Sequence, residues 1–308
     1  MRRKFASDLN LVLHSKRLEQ LELLEPLERS VKTFNRRQEV EMYGWRVRIG
    51  HVAPSRGDTL VYEFYQMLPA GFMILNSTGT IRQLVDADLE RQLQRIEEAA
   101  ADLVDNRCDS VIIGGSPLFT KLGYGSDTEM GKHLTEKYGV PVSPGITGEI
   151  EALKSLNLKK LVVATPHEDT LNERMKVFLE ASGFNVLKIQ GYGVRKNADI
   201  TDMDEHAAYK IAKRLHEQAP DADGVFVPCP RWPTITDVDL LEREIGKPVV
   251  TSCQAYICRA ENGQGETVGH WLWHTHGVAS ELGVRSKSGK IASIGCKTPL
   301  LAVSFRFF

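Results

Sequence analysis

Between residues 45 and 257, short apolar runs alternate with longer stretches of helical periodicity. Alternation over Arg46 to Val52 reads as a strand. A turn follows over Ala53 to Asp58, then a helix over Thr59 to Leu68. Phe72 to Leu75 reads as a second strand. Leu89 to Val104 reads as one amphipathic helix carrying Leu93, Ile96, Ala100 and Leu103 on one face. Cys108 to Ile113 is a third strand, followed by helix from about Thr128 to Tyr138, strand at Val140 to Val142, and helix from about Thr147. The second half repeats this grammar. Lys160 to His167 is expected as a strand and then a turn, with further strands over Phe184 to Ile189 and Val225 to Val227 and helices over Asp169 to Ala181 and Asp204 to Gln218. Strands alternating with helices imply parallel βαβ units.

The spacing supports a duplication. Pro54 and Gly115 are 61 positions apart, Pro166 and Cys229 63. The expected fold class is therefore α/β, with two similar lobes at 45–150 and 151–257. Each lobe is a mainly parallel sheet flanked by helices, and its strand-end turns face a shared cleft, a preferred place for small ligands. Residues 1–44 are charged and leucine-rich, with Leu18, Leu21, Leu24 and Leu27 at helical spacing interrupted by Pro26. They read as a helical extension. Residues 258–308 form an irregular tail in which periodicity is lost.

The candidate chemistry centres on Cys229. The run Val225 to Val227 ends at Pro228, which cannot extend a central ladder, so Cys229 sits at the carboxyl end of a strand. A thiol there can donate or accept a proton, or be a small buried hydrophobe. Ser55 and Ser116 are short donors beside strand-end turns, or helix caps. Gly57 and Gly115 permit close backbone approach. His167 and Arg231 are nearby polar groups, an imidazole able to donate or accept and a guanidinium, and each also has a solvated surface reading.

Composition changes this picture little. The 308 residues carry a net charge of −1, so no basic excess points to nucleic acid or to an anionic membrane. No stretch of eighteen apolar residues suggests a membrane span, and no apolar core follows the basic start as a secretory signal would require. The five cysteines (108, 229, 253, 258 and 296) show neither disulfide framework nor zinc spacing. A reduced, cytoplasmic protein is the default, with its oligomeric state open. Gly114-Gly115 lacks the third glycine of a dinucleotide fingerprint. His270, His274 and His276 lack the acidic base of a metalloprotease motif. Neither a metal nor a cofactor is expected.

The turns together resemble the maleate isomerase and arylmalonate decarboxylase family, within the aspartate/glutamate racemase superfamily. The residues that carry the resemblance are Val52 to Ser55, Ile112 to Ser116, Ala164 to His167 with Leu171 to Arg174, Val227 to Cys229, and Pro248 to Ser252. The resemblance implies cofactor-free chemistry on a small carboxylate through an enolate-like intermediate. It implies Pro54, Ser55, Gly57, Gly115, Ser116, His167 and Arg231 as substrate-binding candidates around a catalytic Cys229. Members that racemise or isomerise use one cysteine per lobe. Here Gly115 stands at the first-lobe position, and Cys108 lies at the entering end of its strand. A single thiol implies the decarboxylase branch, with cis-trans isomerisation or racemisation as the alternative and a non-catalytic two-lobe binding protein as the rival. Selective alkylation of an accessible Cys229 of low pKa is the expected discriminator. His167 stands where relatives often carry tyrosine. Pro230 removes a backbone donor after the cysteine.

Relatives usually finish with a helix and a Gly-Phe-Gly or Gly-Tyr-Gly stretch. The tail from Cys258 can be back-translated so that a one-base shift reads AGQKTAKVKPSVTGFGTLMA followed by a stop. This suggests a frame change near Ile257, in which case the tail histidines and tryptophans carry no function; the alternative is a genuine but divergent tail.

Overall fold

The computed structural model describes residues 43–55, 58–68 and 70–259. The helical extension, Gly57, the histidines at 270, 274 and 276, and nearly all of the tail lie outside these residues.

The first lobe runs β1 (Val47–Ala53), α1 (Asp58–Met67), β2 (Phe72–Thr78), α2 (Asp86–Leu93), α3 (Ile96–Asp105), β3 (Ser110–Ile113), α4 (Ser116–Leu122), α5 (Ser126–Tyr138), β4 (Val142–Pro144) and α6 (Gly145–Ser155). The second runs β5 (Lys160–His167), α7 (Asp169–Ala181), β6 (Asn185–Val194), α8 (Ala207–Gln218), β7 (Gly224–Val227), α9 (Val238–Ile245), β8 (Val249–Thr251) and α10 (Ser252–Arg259). Each lobe holds a four-stranded parallel sheet, ordered β2-β1-β3-β4 and β6-β5-β7-β8. The central strands are buried along nearly their whole length, as a sheet covered on both faces requires.

The lobes are related by a pseudo-twofold that shows in register. Ile49 pairs with Ser110 as Leu161 pairs with Gly224, so Gly115 and Cys229 occupy equivalent positions. Equivalent segments also meet across the boundary. Residues following β2 and β6 form an antiparallel bridge, Gln83 to Lys196, flanked by Leu84 N–H to Arg195 O and Asn197 N–H to Arg82 O. Helices α6 and α10 pack on each other. Glu149 reaches Ser252 at the start of α10, and its equivalent Tyr256 lies over Gly145 at the start of α6. A β-carbon at Gly145 would stand 2.1 Å from the tyrosine ring, so only glycine admits this crossing. One apolar core runs through both lobes, from Ile113 and Phe119 to Phe178 and Phe226.

Several boundaries differ from the sequence reading. The expected Leu89 to Val104 helix is two, bent at Arg95, although Leu89, Ile96, Ala100 and Leu103 keep one buried face through the bend. Strand β3 begins at Ser110, after Cys108 has entered the core beside Gly50. β4 starts at Val142, β6 runs on to Val194, and α8 starts at Ala207. Helices α4 and α9 are too short for periodicity to reveal. Among the described residues, no helix is long and apolar enough to cross a membrane.

Candidate active site

The strand-end turns of both lobes enclose one cavity of about 50 Å³. It brings together Pro54, Ser55, Gly115, Ser116, His167, Cys229 and Arg231. Leu60, Ile81, Leu84, Leu89 and Leu118 form its apolar wall, and His51 and Asn197 also line it.

Backbone conformation marks Cys229. Its φ is 115°, and the equivalent Gly115 has φ 96°. Both turns therefore use the left-handed region, which glycine occupies without strain and a cysteine does not. The Cys229 N–H donates to Ser252 Oγ at 2.8 Å, which helps hold this conformation. The expected accessible thiol of low pKa is corrected here. Cys229 is buried, and burial pushes its thiol up to about 11 against a smaller opposing effect of Arg231. At neutral pH it is an undissociated S–H, the form that gives a proton away. Among the described residues it is the only cysteine lining the cavity; Cys253 packs behind the turn, facing the Pro230 carbonyl at 3.6 Å.

Arg231 is not a surface residue but 7% exposed. Its Nη1 donates to Ser55 Oγ at 3.0 Å and its Nη2 to Thr201 Oγ1 at 2.8 Å. Asn197 Nδ2 donates to the same Ser55 oxygen at 2.8 Å. Ser55 therefore joins the lobes, the two bonds onto its oxygen coming from side chains of the other lobe and not from helix N–H groups. The Arg231 carbonyl is held by Thr59 Oγ1 at 2.9 Å, and the loop beyond it by the buried carboxylate of Glu63, which accepts from the N–H groups of Thr234 and Ile235.

Ser116 is likewise no cap. The cap residue of α4 is Gly115, and Ser116 Oγ donates to the Glu149 carboxyl, 3.0 Å from Oε2. Ser252 Oγ donates to Oε1 of the same carboxyl. Glu149 is fully buried, and that burial pushes its pKa up to about 7 despite both hydroxyl bonds. His51 and His167 are both buried, which depresses each imidazole to about 4 and keeps it neutral. His51 Nδ1 lies 2.9 Å from Asn76 Oδ1. An amide oxygen only accepts, so Nδ1 carries the proton and Nε2 presents a lone pair towards Gly114.

His51, Glu149, Asn197, Ser252 and Tyr256 were not singled out by sequence reasoning. Glu149 carries the clearest signal, because it interrupts the apolar face Ile146, Ile150 and Leu153 of α6. Glu63 does the same between Leu60 and Phe64. A carboxylate on a buried stripe needs dedicated partners.

Two parallel-sheet lobes face each other across a cavity, with one described thiol at a strand end, which is the architecture of a two-lobe α/β enzyme. The chain belongs to the arylmalonate decarboxylase family, whose model matches residues 51–266. It is 25% identical over 207 residues to arylmalonate decarboxylase of Bordetella bronchiseptica, covering 67% of this chain and 86% of that protein. It is 24% identical over 224 residues to maleate isomerase of Nocardia farcinica, covering 68% and 86%. Among solved structures, a liganded double mutant of arylmalonate decarboxylase aligns with a TM-score of 0.64 at 21% identity, over 68% of this chain and 88% of that one. Nocardia farcinica maleate cis-trans isomerase bearing a covalently bound succinylcysteine intermediate aligns with a TM-score of 0.62 at 20% identity, over 68% and 89%. The family thus contains both decarboxylases and isomerases.

Proposed function

We propose that this chain is a cofactor-independent decarboxylase of a small malonate-type substrate, with Cys229 as the proton donor. The observation that carries this reading is the buried Cys229, the one thiol lining the cavity among the described residues, with a glycine in the equivalent position of the other lobe. Decarboxylation breaks the bond between the α-carbon and one carboxylate, releases carbon dioxide, and leaves the electron pair as an enediolate. The turn at Gly115 and Ser116 supplies donors for the enediolate oxygens. Cys229 gives its proton to the α-carbon on one face, and water restores the thiol. His167, buried and neutral, is a further donor to the retained carboxylate. Arg231 would leave Ser55 Oγ for a substrate anion, since charge-assisted bonds to carboxylate are the stronger.

Cis-trans isomerisation is the second reading, favoured by the similarity to maleate isomerases. Isomerisation through a cysteine adduct starts from a thiolate, and burial disfavours the Cys229 thiolate. The deciding experiment is proton NMR in deuterium oxide with substituted malonates and small dicarboxylates. A monoacid with one α-deuteron supports decarboxylation. Conversion of maleate to fumarate without loss of carbon dioxide overturns it in favour of isomerisation.

A further inference from the structure

The hydrogen count around Glu149 carries a further inference. The Glu149 carboxyl faces two hydroxyls, Ser116 and Ser252, and each has one proton to give. Ser252 Oγ already accepts the Cys229 N–H. The other ionisable groups near the carboxyl are Cys229 at the end of β7, and Cys253 and Tyr256 on α10. All three are neutral acids, held so by burial, and the described partners of the carboxyl are the two hydroxyls, with no cation among them.

An ionised Glu149 only accepts. Both serines then donate to it, and Ser116, which also has the Tyr256 hydroxyl beside it, turns its lone pairs towards that hydroxyl and the cavity it lines. Such an oxygen repels an enediolate. A protonated Glu149 reverses one of these bonds. With the proton on Oε2, 3.0 Å from Ser116 Oγ, the carboxylic acid donates to Ser116, while Ser252 still donates to Oε1. The Ser116 hydrogen is then freed to turn towards the cavity, with the Tyr256 hydroxyl as the competing acceptor.

We propose that Glu149 is a positioning residue that works as a neutral carboxylic acid, turning the Ser116 hydroxyl towards the substrate oxyanion and binding carboxylate substrates only in that form. The proposal rests on the reading of the cavity as a carboxylate site. Its direction agrees with the upward shift of Glu149 to about 7, caused by burial.

Infrared difference spectroscopy of the intact protein tests the protonation state without any substrate. The C=O stretch of a neutral carboxylic acid is expected at pH 6, lost by pH 8.5, and absent from Glu149→Gln. Its absence from the wild type at pH 6 overturns the proposal, whatever the enzyme's reaction. Malonate binding by calorimetry tests the consequence. Between pH 7 and 9 the wild-type Kd should rise about tenfold per unit, as one proton linked to binding requires. Glu149→Gln keeps a neutral donor and should bind malonate with a Kd independent of pH. Ser116→Ala separates donation from charge repulsion. If Ser116 is the relay, this variant loses the pH slope; if the slope persists, repulsion alone acts and the proposal falls. Failure of malonate to bind at any pH, with the infrared band present, overturns the carboxylate-site reading and this consequence of it, but leaves the neutral acid established.

Discussion

Ser55 Oγ accepts a hydrogen bond from Arg231 Nη1 at 3.0 Å, between residues 176 positions apart and in different lobes. A cavity of about 50 Å³ is small beside the roughly 300 Å³ or more of usual ligand pockets, so binding a substituted malonate is expected to widen it and to draw the guanidinium off this contact. The guanidinium then exchanges a neutral hydroxyl for an anion. Arg231→Leu should weaken dicarboxylate binding by roughly 10–150-fold, equivalent to the 1.5–3 kcal/mol of a hydrogen bond to a charged group. A monocarboxylate of the same shape should be nearly indifferent. Calorimetric Kd values for both ligands decide it, and equal losses for both would remove Arg231 from substrate discrimination.

The left-handed conformation of Cys229 separates chemistry from stability. Cys229→Ser should abolish turnover with the fold intact, because a hydroxyl is too weak an acid to replace the thiol. A non-glycine residue in this region costs about 1–3 kcal/mol. Cys229→Gly should therefore unfold at higher denaturant than Cys229→Ala, by about 1 kcal/mol or more, while both are inactive. Turnover in the serine variant would take Cys229 out of the mechanism.

How far the fold was legible follows from what periodicity can carry. α7 coincides with its expected range because it is long, with an unambiguous rhythm, whereas β5 runs on through Pro166 and His167, which the sequence reads as a turn. The four-residue strand at Val225 was readable through its flanking Pro228, and the duplication through the proline spacing. The bend at Arg95 carries no proline or glycine and left no trace in the pattern. The site was half legible. Cys229, Pro54 and Gly115 stand at strand ends, where sequence order predicts a ligand. Glu149 and Tyr256 act from helices that the pseudo-twofold brings together, and that is tertiary information. His51 sits inside a strand whose alternation explained it as ordinary.

Gly115 offers the route to a second thiol. A β-carbon there would meet Pro54 Cγ at 3.1 Å and Leu118 Cδ1 at 3.2 Å, both on the cavity wall. At Gly114 it would lie 2.5 Å from His51 Nε2. Gly115→Cys should therefore place a thiol on the face opposite Cys229, at a cost in stability from the positive φ. Racemisation of the monoacid product should appear or rise, followed by chiral chromatography. A product of unchanged enantiomeric purity from a folded, active variant would sink this placement.

Three buried groups set the acid limb of stability. His51 and His167 titrate near 4 when folded, against 6.5 when unfolded. Between these values the unfolded chain binds more protons, so each histidine contributes stability that is full above 6.5 and lost as pH falls. Glu149 has the opposite sign, raised from 4.5 to about 7, so its contribution is full below 4.5 and lost as pH rises. From pH 4.5 to 6.5 two slopes of about +1.4 kcal/mol per unit oppose one of −1.4, which leaves a net rise of about 1.4 per unit from these three groups. Glu149→Gln should roughly double that slope, and His167→Gln should flatten it. Urea unfolding at half-unit intervals measures both, and a wild-type stability that falls over this window would contradict the assignment.

The tail beyond Ile257 yields a prediction about the gene. Tryptophan has a single codon, TGG, so a reading frame displaced by one base turns each tryptophan codon into glycine whatever follows. Trp271-Leu272-Trp273 therefore becomes Gly-X-Gly of necessity, and phenylalanine at X requires only a CTT leucine codon. This is the ending that the family resemblance implies. The stop of the displaced frame falls across the codons for Val278 and Ala279 and requires GTA for the valine. We propose that the native product leaves the present frame near Ile257 and ends with AGQKTAKVKPSVTGFGTLMA. Resequencing across the Ile257 codon should find one missing or added base, or a programmed slippery stretch. The frame-restored protein should express in higher soluble yield than the 308-residue form, because the lost residues follow α10, whose Tyr256 and Glu149 contacts close the site. A DNA sequence whose alternate frame does not contain this peptide ends the idea.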